Sequence, residues 1–207
     1  MSRKGDAHGA HQAKQKVDRR VLRTRDRLGD ALVALIQEKP FDAITVQEVL
    51  DRAGVSRSTF YVHYRDKDDL FLSDADEFLE AMTMMLSRRK EKSERVAPVR
   101  EFFEHVAHAQ QIYKALVEAG RIHDFVELAQ GHFARGIEQR LKELPRAQGV
   151  APAARAVAAQ ALAGALLSLL KWWIDHGMPT PPEQMDESFH QMVWSGITVA
   201  PAGGKKS

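Results

Sequence analysis

The chain contains no cysteine among its 207 residues. That excludes disulfides and thiolate metal sites and suits a reducing compartment, so a cytoplasmic location is expected. Long apolar runs are also missing. The longest, ALAGALLSLL at 161–170, is too short to cross a bilayer and is followed by Lys171. No membrane partner is therefore expected. The opening MSRKGDAHGAHQAKQK is charged and lacks the apolar centre of a secretory signal. No stretch alternates polar and apolar residues for long enough to make a strand. There is no phosphate loop and no nucleophile–base–orienter set, which argues against an enzyme; no cofactor and no metal are expected.

A strong net charge is absent too, at +2 overall, but its distribution is uneven. Residues 1–67 carry 14 Lys and Arg against 9 Asp and Glu, whereas residues 68–207 carry 16 against 19. Basic charge gathered at one end fits a polyanionic partner there, or a solubilising tail.

What is present is helical periodicity. Residues 1–16 read as a disordered basic arm, with two glycines and scattered charge. From Val17 to Glu38, Val21, Leu28, Ala31, Leu32, Leu35 and Ile36 recur at helical spacing, and Lys39-Pro40 ends the run. Thr45-Val46-Gln47-Glu48 is a capping box, with Ile44 and Val49 placed as its hydrophobic staple. Gly54 supplies a turn, Ser56 caps a short helix and Asp66 caps the next. Further helices are expected at about 95–108, 109–119, 121–145, 151–177 and 182–199. The tail 200–207 is expected to be disordered.

Two short helices joined by a glycine turn make a helix-turn-helix. Phe60 and Val55 suit the inner side of the second helix. Arg57, Ser58 and Tyr61 then face outward, and an arginine there can read guanine through two hydrogen bonds. Lys67 opposes the dipole of the helix it opens. It either grips a phosphate or is a solvated lysine offset by Asp66, Asp68 and Asp69.

Residues 25–72, centred on TVQEVLDRAGVSRSTFYVHYRDKDDLF, closely resemble the DNA-binding head of the tetracycline-repressor (TetR) family. The match runs without a gap through Phe41, Ile44-Thr45, Ala53-Gly54-Val55-Ser56, Phe60-Tyr61, His63-Tyr64, Lys67 and Leu70-Phe71. The segment 166–185 resembles the penultimate helix, and the turn after it, in one subset of that family. The resemblance implies that Thr45 and Gln47 open the supporting helix near the DNA backbone. It implies groove contacts from Arg57, Ser58 and Thr59, with Ser56 beside them. Tyr61, His63 and Tyr64 fall at phosphate or groove-edge positions, and Lys67 on a phosphate. Thr59 and Tyr64 can pack inward instead.

The resemblance also implies an all-α chain: a three-helix head at 17–66 and a helical effector-binding and dimerising body at 67–199. Candidate pocket residues are Phe78, Met82, Phe102, Phe103, Val106, Tyr113, Leu116, Phe125, Leu128, Leu166 and Trp172, although each is also spaced as ordinary core. Leu162, Leu166, Leu169, Phe189, Val193 and Trp194 are expected at a dimer interface. His105 and His108, four residues after Glu101 and Glu104, could serve a metal or an effector, or form plain helix-surface pairs. The expected function is a homodimeric repressor on a palindromic DNA operator, released by a small molecule. The alternatives are control by a protein partner without such an effector, or activation.

Overall fold

The chain folds as short-range signals dictate around residues 45–66. Thr45 ends an extended segment, and its hydroxyl accepts from the Glu48 amide at 3.3 Å while the Glu48 carboxylate accepts from the Thr45 amide at 2.9 Å. Two otherwise orphaned donors are thus satisfied reciprocally, and a helix starts at Val46. It ends at Gly54, whose φ of 59° lies in the left-handed region. A side chain there would be strained, and its Cβ would come within 2.8 Å of the Arg27 guanidinium. Arg27 uses that position to donate to the carbonyls of Ala53 and Gly54. Ser56 then caps the second helix by accepting from the Thr59 amide, and Asp66 accepts from the Asp69 amide at the start of the next.

The computed structural model describes residues 5–197, with side chains from 20 to 196. Ten α-helices and no strand occur among the described residues. They are α1 (Gly5–Glu38), α2 (Val46–Ala53), α3 (Arg57–His63), α4 (Lys67–Thr83) and α5 (Met85–Arg88). Then follow α6 (Val99–His108), α7 (Gln110–Glu118), α8 (Ile122–Glu143), α9 (Pro152–Asp175) and α10 (Pro182–Ile197). Helix α1 begins at Gly5, not Val17. Extending a helix needs no new nucleus, and the alanine, glutamine and lysine residues before Val17 are good helix formers. That corrects the disorder expected over 5–16. The expected tail at 200–207 lies outside the described residues. Residues 95–98, expected to open a helix, precede α6 as irregular backbone.

Contacts divide the chain into two units: Met1–Asp74 with Lys114–Ala119, and Ala75–Tyr113 with Gly120–Ser207. The chain passes between them inside α4, eight residues beyond the boundary expected at 66. In the first unit, Leu28, Leu32, Leu35 and Ile36 of α1 and Val49 and Leu50 of α2 are buried together with Phe60, which is 0% exposed. Each such side chain contributes about 1.5–3 kcal/mol by leaving water. Arg52 joins α2 to α1 through a two-pronged ion pair with Glu38, at 2.6 and 2.9 Å.

In the second unit α9 runs along α8, and α10 packs on α6. Phe102 packs at a tilt against Phe133, and Phe103 against Trp173, with ring centroids 4.7 and 4.9 Å apart. Gly136 lets α8 touch α4: a Cβ there would lie 2.9 Å from the Thr83 carbonyl oxygen. The loop between α5 and α6 hangs on two arginines. Arg140, 4% exposed, donates to the carbonyls of Glu91, Ser93 and Arg95 and to Glu143. Arg95 meets both oxygens of Glu101 and also Asp186. Burial works to raise the carboxyls of Glu101 and Asp186. The hydrogen bonds from Arg95 to Glu101 and from His190 to Asp186, together with the attraction of the neighbouring cations and backbone hydrogen bonds, outweigh it and hold both below their usual range.

Helix α9 is long and apolar enough to cross a membrane by length and composition, and 28% of that apolar stretch is buried within the chain. The 161–170 run judged too short therefore belongs to a helix of 24 residues.

Candidate nucleic-acid interface

Helix α3 is seven residues long and buries one of them, Phe60. The rest of its surface is available. Arg57, Ser58, Tyr61 and Val62 are exposed, His63 is half-buried, and Val62 reaches 77% exposure. Arginine, hydroxyl and apolar groups on one short helix match what base edges offer in a major groove: acceptors on guanine and a methyl on thymine. Val62 was not singled out in the sequence, where an apolar residue near Phe60 invites a core reading. Its position, two after a fully buried residue on a helix, was the available signal.

The first turns of α2 lie beside this surface. Gln47 is exposed, and its Oε1 accepts from Arg57 Nη2 at 3.0 Å. Its Nε2 donates to Asp51 Oδ1 at 2.8 Å. Arg57 therefore spends one donor inside the protein and keeps the others. Thr45 is exposed but committed to the capping box. Glu48, completing that box, takes an ion pair from Lys39 at 2.5 Å. The Lys39 hydrogen bond, with those of the Thr45 amide and hydroxyl, holds its carboxyl at about 2. Ser56 and Thr59 face each other, hydroxyl to hydroxyl at 2.8 Å, and Ser56 also meets Ser58 at 3.1 Å. Thr59 is only half-exposed, so its hydroxyl serves the start of the helix.

Two expected contacts are corrected. Tyr64 is 6% exposed. Helix α3 has ended by then, and the extended backbone at Tyr64 swings its ring inward against Phe60, centroids 5.7 Å apart. Its hydroxyl accepts from Arg25 Nε at 3.0 Å, and Arg25 also donates to Ser73. Tyr64 is thus a core residue fastening α1 to the end of α3. Lys67 is half-buried, and its ammonium turns toward the backbone of the segment before α2. Its ammonium donates to the Phe41 and Ile44 carbonyls at 2.7 and 2.9 Å and lies 4.7 Å from the Phe41 ring centre. Asp69, expected to offset it, instead pairs with Arg65.

In the body, the proposed pocket residues mostly form packed core. Phe102, Phe103, Val106 and Leu166 are 0% exposed, and Phe125 and Tyr113 meet edge to face at 5.4 Å. Phe78, Met82 and Leu128 are half-buried. Leu116 is buried and belongs to the other unit. Trp172 is corrected: it is 45% exposed, and Trp173 lies inside at 1%, donating to the Thr180 carbonyl. Leu166, Leu170 and Trp173 share a face at helical steps, which turns Trp172 out. Four interface candidates are likewise internal: Leu166, Phe189, Val193 and Trp194, the last donating to the Glu94 carbonyl at 3.0 Å. Leu162 and Leu169 remain half-exposed. His105 stacks on Phe78 at 4.1 Å, and burial followed by the nearby His108 lowers its pKa. No group of three metal-ligating side chains occurs among the described residues.

Residues 28–73 match the family described as bacterial regulatory proteins, tetR family, and residues 98–194 match a transcriptional regulator C-terminal region. The HTH-type transcriptional activator FasR of Mycolicibacterium smegmatis is 23% identical over 186 residues, covering 85% of this chain and 85% of that protein. Among solved structures, a TetR transcriptional regulator from Streptococcus agalactiae is 24% identical, covers 87% of this chain and 98% of its own, and superposes with a TM-score of 0.59. The dihydroxyacetone kinase operon activator DhaS gives a TM-score of 0.60 at 15% identity, covering 86% and 98%. A helix-turn-helix with a cationic, hydroxylated and apolar outward face, followed by a matching regulatory body, agrees with these matches: the chain belongs to the TetR family and is a DNA-binding transcriptional regulator.

Proposed function

We propose that the chain works in the cytoplasm as a homodimer on a palindromic operator, reading bases through Arg57, Ser58 and Val62 and phosphates through Tyr61 and His63. The observation that carries dimerisation is the outward face of α9. Val157, Ala161, Ala165, Ser168 and Trp172 are exposed on one side of that helix, flanked by Leu162 and Leu169. Met192 of α10, 57% exposed, adds to the apolar surface. A stripe of small residues ended by a tryptophan admits close approach of an identical helix. Two heads so joined meet half-sites about 34 Å apart. The apolar length of α9 is thus explained by a protein partner, not by lipid. Ala161→Glu is expected to give monomers by sedimentation and to abolish tight binding to the full palindrome. A stable dimer of that variant would remove α9 from the interface.

Base reading is tested by Arg57→Ala, which should cost about 1–3 kcal/mol of operator binding and relax preference at one base pair. Equal losses on every sequence would reassign Arg57 to the backbone.

Release by a small molecule is the family-based reading of the body. Phe102, Phe103, Val106 and Leu166 are fully buried, so such a ligand has to open packed core. That packing supports control by a protein partner or by abundance as the second reading. Repression fits a dimer that occludes a promoter; the name of the M. smegmatis relative keeps activation as the alternative sign. Titrating the operator complex with small apolar compounds separates the two modes of control, because only the first reading loses the complex.

A further inference from the structure

We propose that Asp51 is a specificity-determining positioning residue that aims Arg57 through Gln47. This rests on the reading of Arg57 as a base contact. Three exposed side chains stand in series: Asp51 Oδ1 accepts from Gln47 Nε2 at 2.8 Å, and Gln47 Oε1 accepts from Arg57 Nη2 at 3.0 Å. An ionised carboxylate has no proton to give, so it takes only the NH2 end of an amide. Asp51 therefore sets which way the Gln47 amide faces and turns its oxygen toward Arg57. The guanidinium in turn has no acceptor, so an amide facing the other way would repel it.

Geometry favours the arrangement at both ends. Gln47 and Asp51 are four residues apart on α2 and so lie on one face. Arg57 opens α3 immediately after the Ser56 cap, on backbone held by the Gly54 turn. The single bond to Gln47 restricts a long, flexible side chain and leaves the guanidinium's remaining donors for a base. Ordering Arg57 before DNA arrives removes part of the entropy cost of ordering it on the DNA.

The charge of Asp51 makes the proposal separable from simple electrostatics. A carboxylate beside a DNA-binding surface repels phosphates, so removing it should strengthen binding to any duplex. Positioning demands an opposite change in selectivity. The test uses the full chain, the consensus duplex that the wild type enriches from a random-sequence pool, its single-base variants and a scrambled duplex. Asp51→Ala is expected to raise affinity for the scrambled duplex about two- to fivefold. It should also lower discrimination at the Arg57 base pair about three- to tenfold. Gln47→Ala should lower that discrimination similarly with little gain on scrambled DNA. Asp51→Glu keeps an acceptor and should restore part of it.

Equal gains by Asp51→Ala on consensus and scrambled duplexes would overturn the proposal and leave Asp51 as a repulsive charge only. Arg57→Ala is run alongside. If it changes no base preference, the base-reading assignment falls and the relay falls with it. If it does and the Asp51 and Gln47 variants do not, the relay alone is wrong. Unfolding curves matching the wild type show that each variant is folded.

Discussion

Arg57 and Arg140 carry the same side chain to opposite ends. Arg140 in the body is 4% exposed and spends four of its five donors on three carbonyls and a carboxylate. Arg57 in the head is exposed and makes one bond, to a glutamine. A buried cation without partners is costly, so Arg140 is where it is because the loop at 91–95 needs donors. An exposed cation with donors to spare does little for folding and suits a partner outside the chain. Lys67 complicates the contrast: it sits in the head but behaves like Arg140, its ammonium closed onto two carbonyls.

The contrast is broken most easily at its strong end. Arg140→Ala should destabilise the body by about 2–4 kcal/mol in denaturant, since three carbonyls lose their donor. Arg57→Ala should change stability by less than about 0.5 kcal/mol. Comparable losses from the two would erase the distinction. Lys67→Ala comes next, at about 1–2 kcal/mol of head stability. The salt dependence of its DNA binding should keep its slope; a slope smaller by about one contact would return Lys67 to a phosphate. The smallest effect is acid sensitivity. The folded carboxyls of Glu101 and Asp186 lie below their ordinary values of 4.5 and 3.8. Their stabilisation is therefore fully present above about pH 4.5 and is lost as pH falls through the folded values. Asp186→Asn should flatten that acid limb of the unfolding profile.

Much of the head was legible because its signals are local. A capping box, a left-handed glycine and a serine cap each act within four residues, so α2, the turn and α3 follow from the chain itself. Tyr64 was left between a DNA contact and inward packing because its direction depends on α3 ending one residue earlier, a boundary no local residue marks. The body resisted for a different reason. Helix α9 is apolar on nearly every side, so its periodicity does not say which side faces in, and Trp172 was expected inward. On α10, Met185, Phe189 and Val193 repeat every four residues and are buried within this chain, where a dimer surface had been expected. The loop anchored by Arg140 is held over 45–49 residues of sequence, a separation at which no spacing rule applies.

The outward position of Trp172 has an optical consequence. The chain has three indoles: Trp173 and Trp194 are buried and hydrogen-bonded to carbonyls, and Trp172 is open to water. Trp172 alone should respond to a soluble collisional quencher in separated chains. In the proposed assembly through α9, its emission should shift to shorter wavelength and become shielded, while the other two provide a constant background. Trp172 would thus be an unlabelled reporter of the proposed dimer, readable at concentrations where it comes apart.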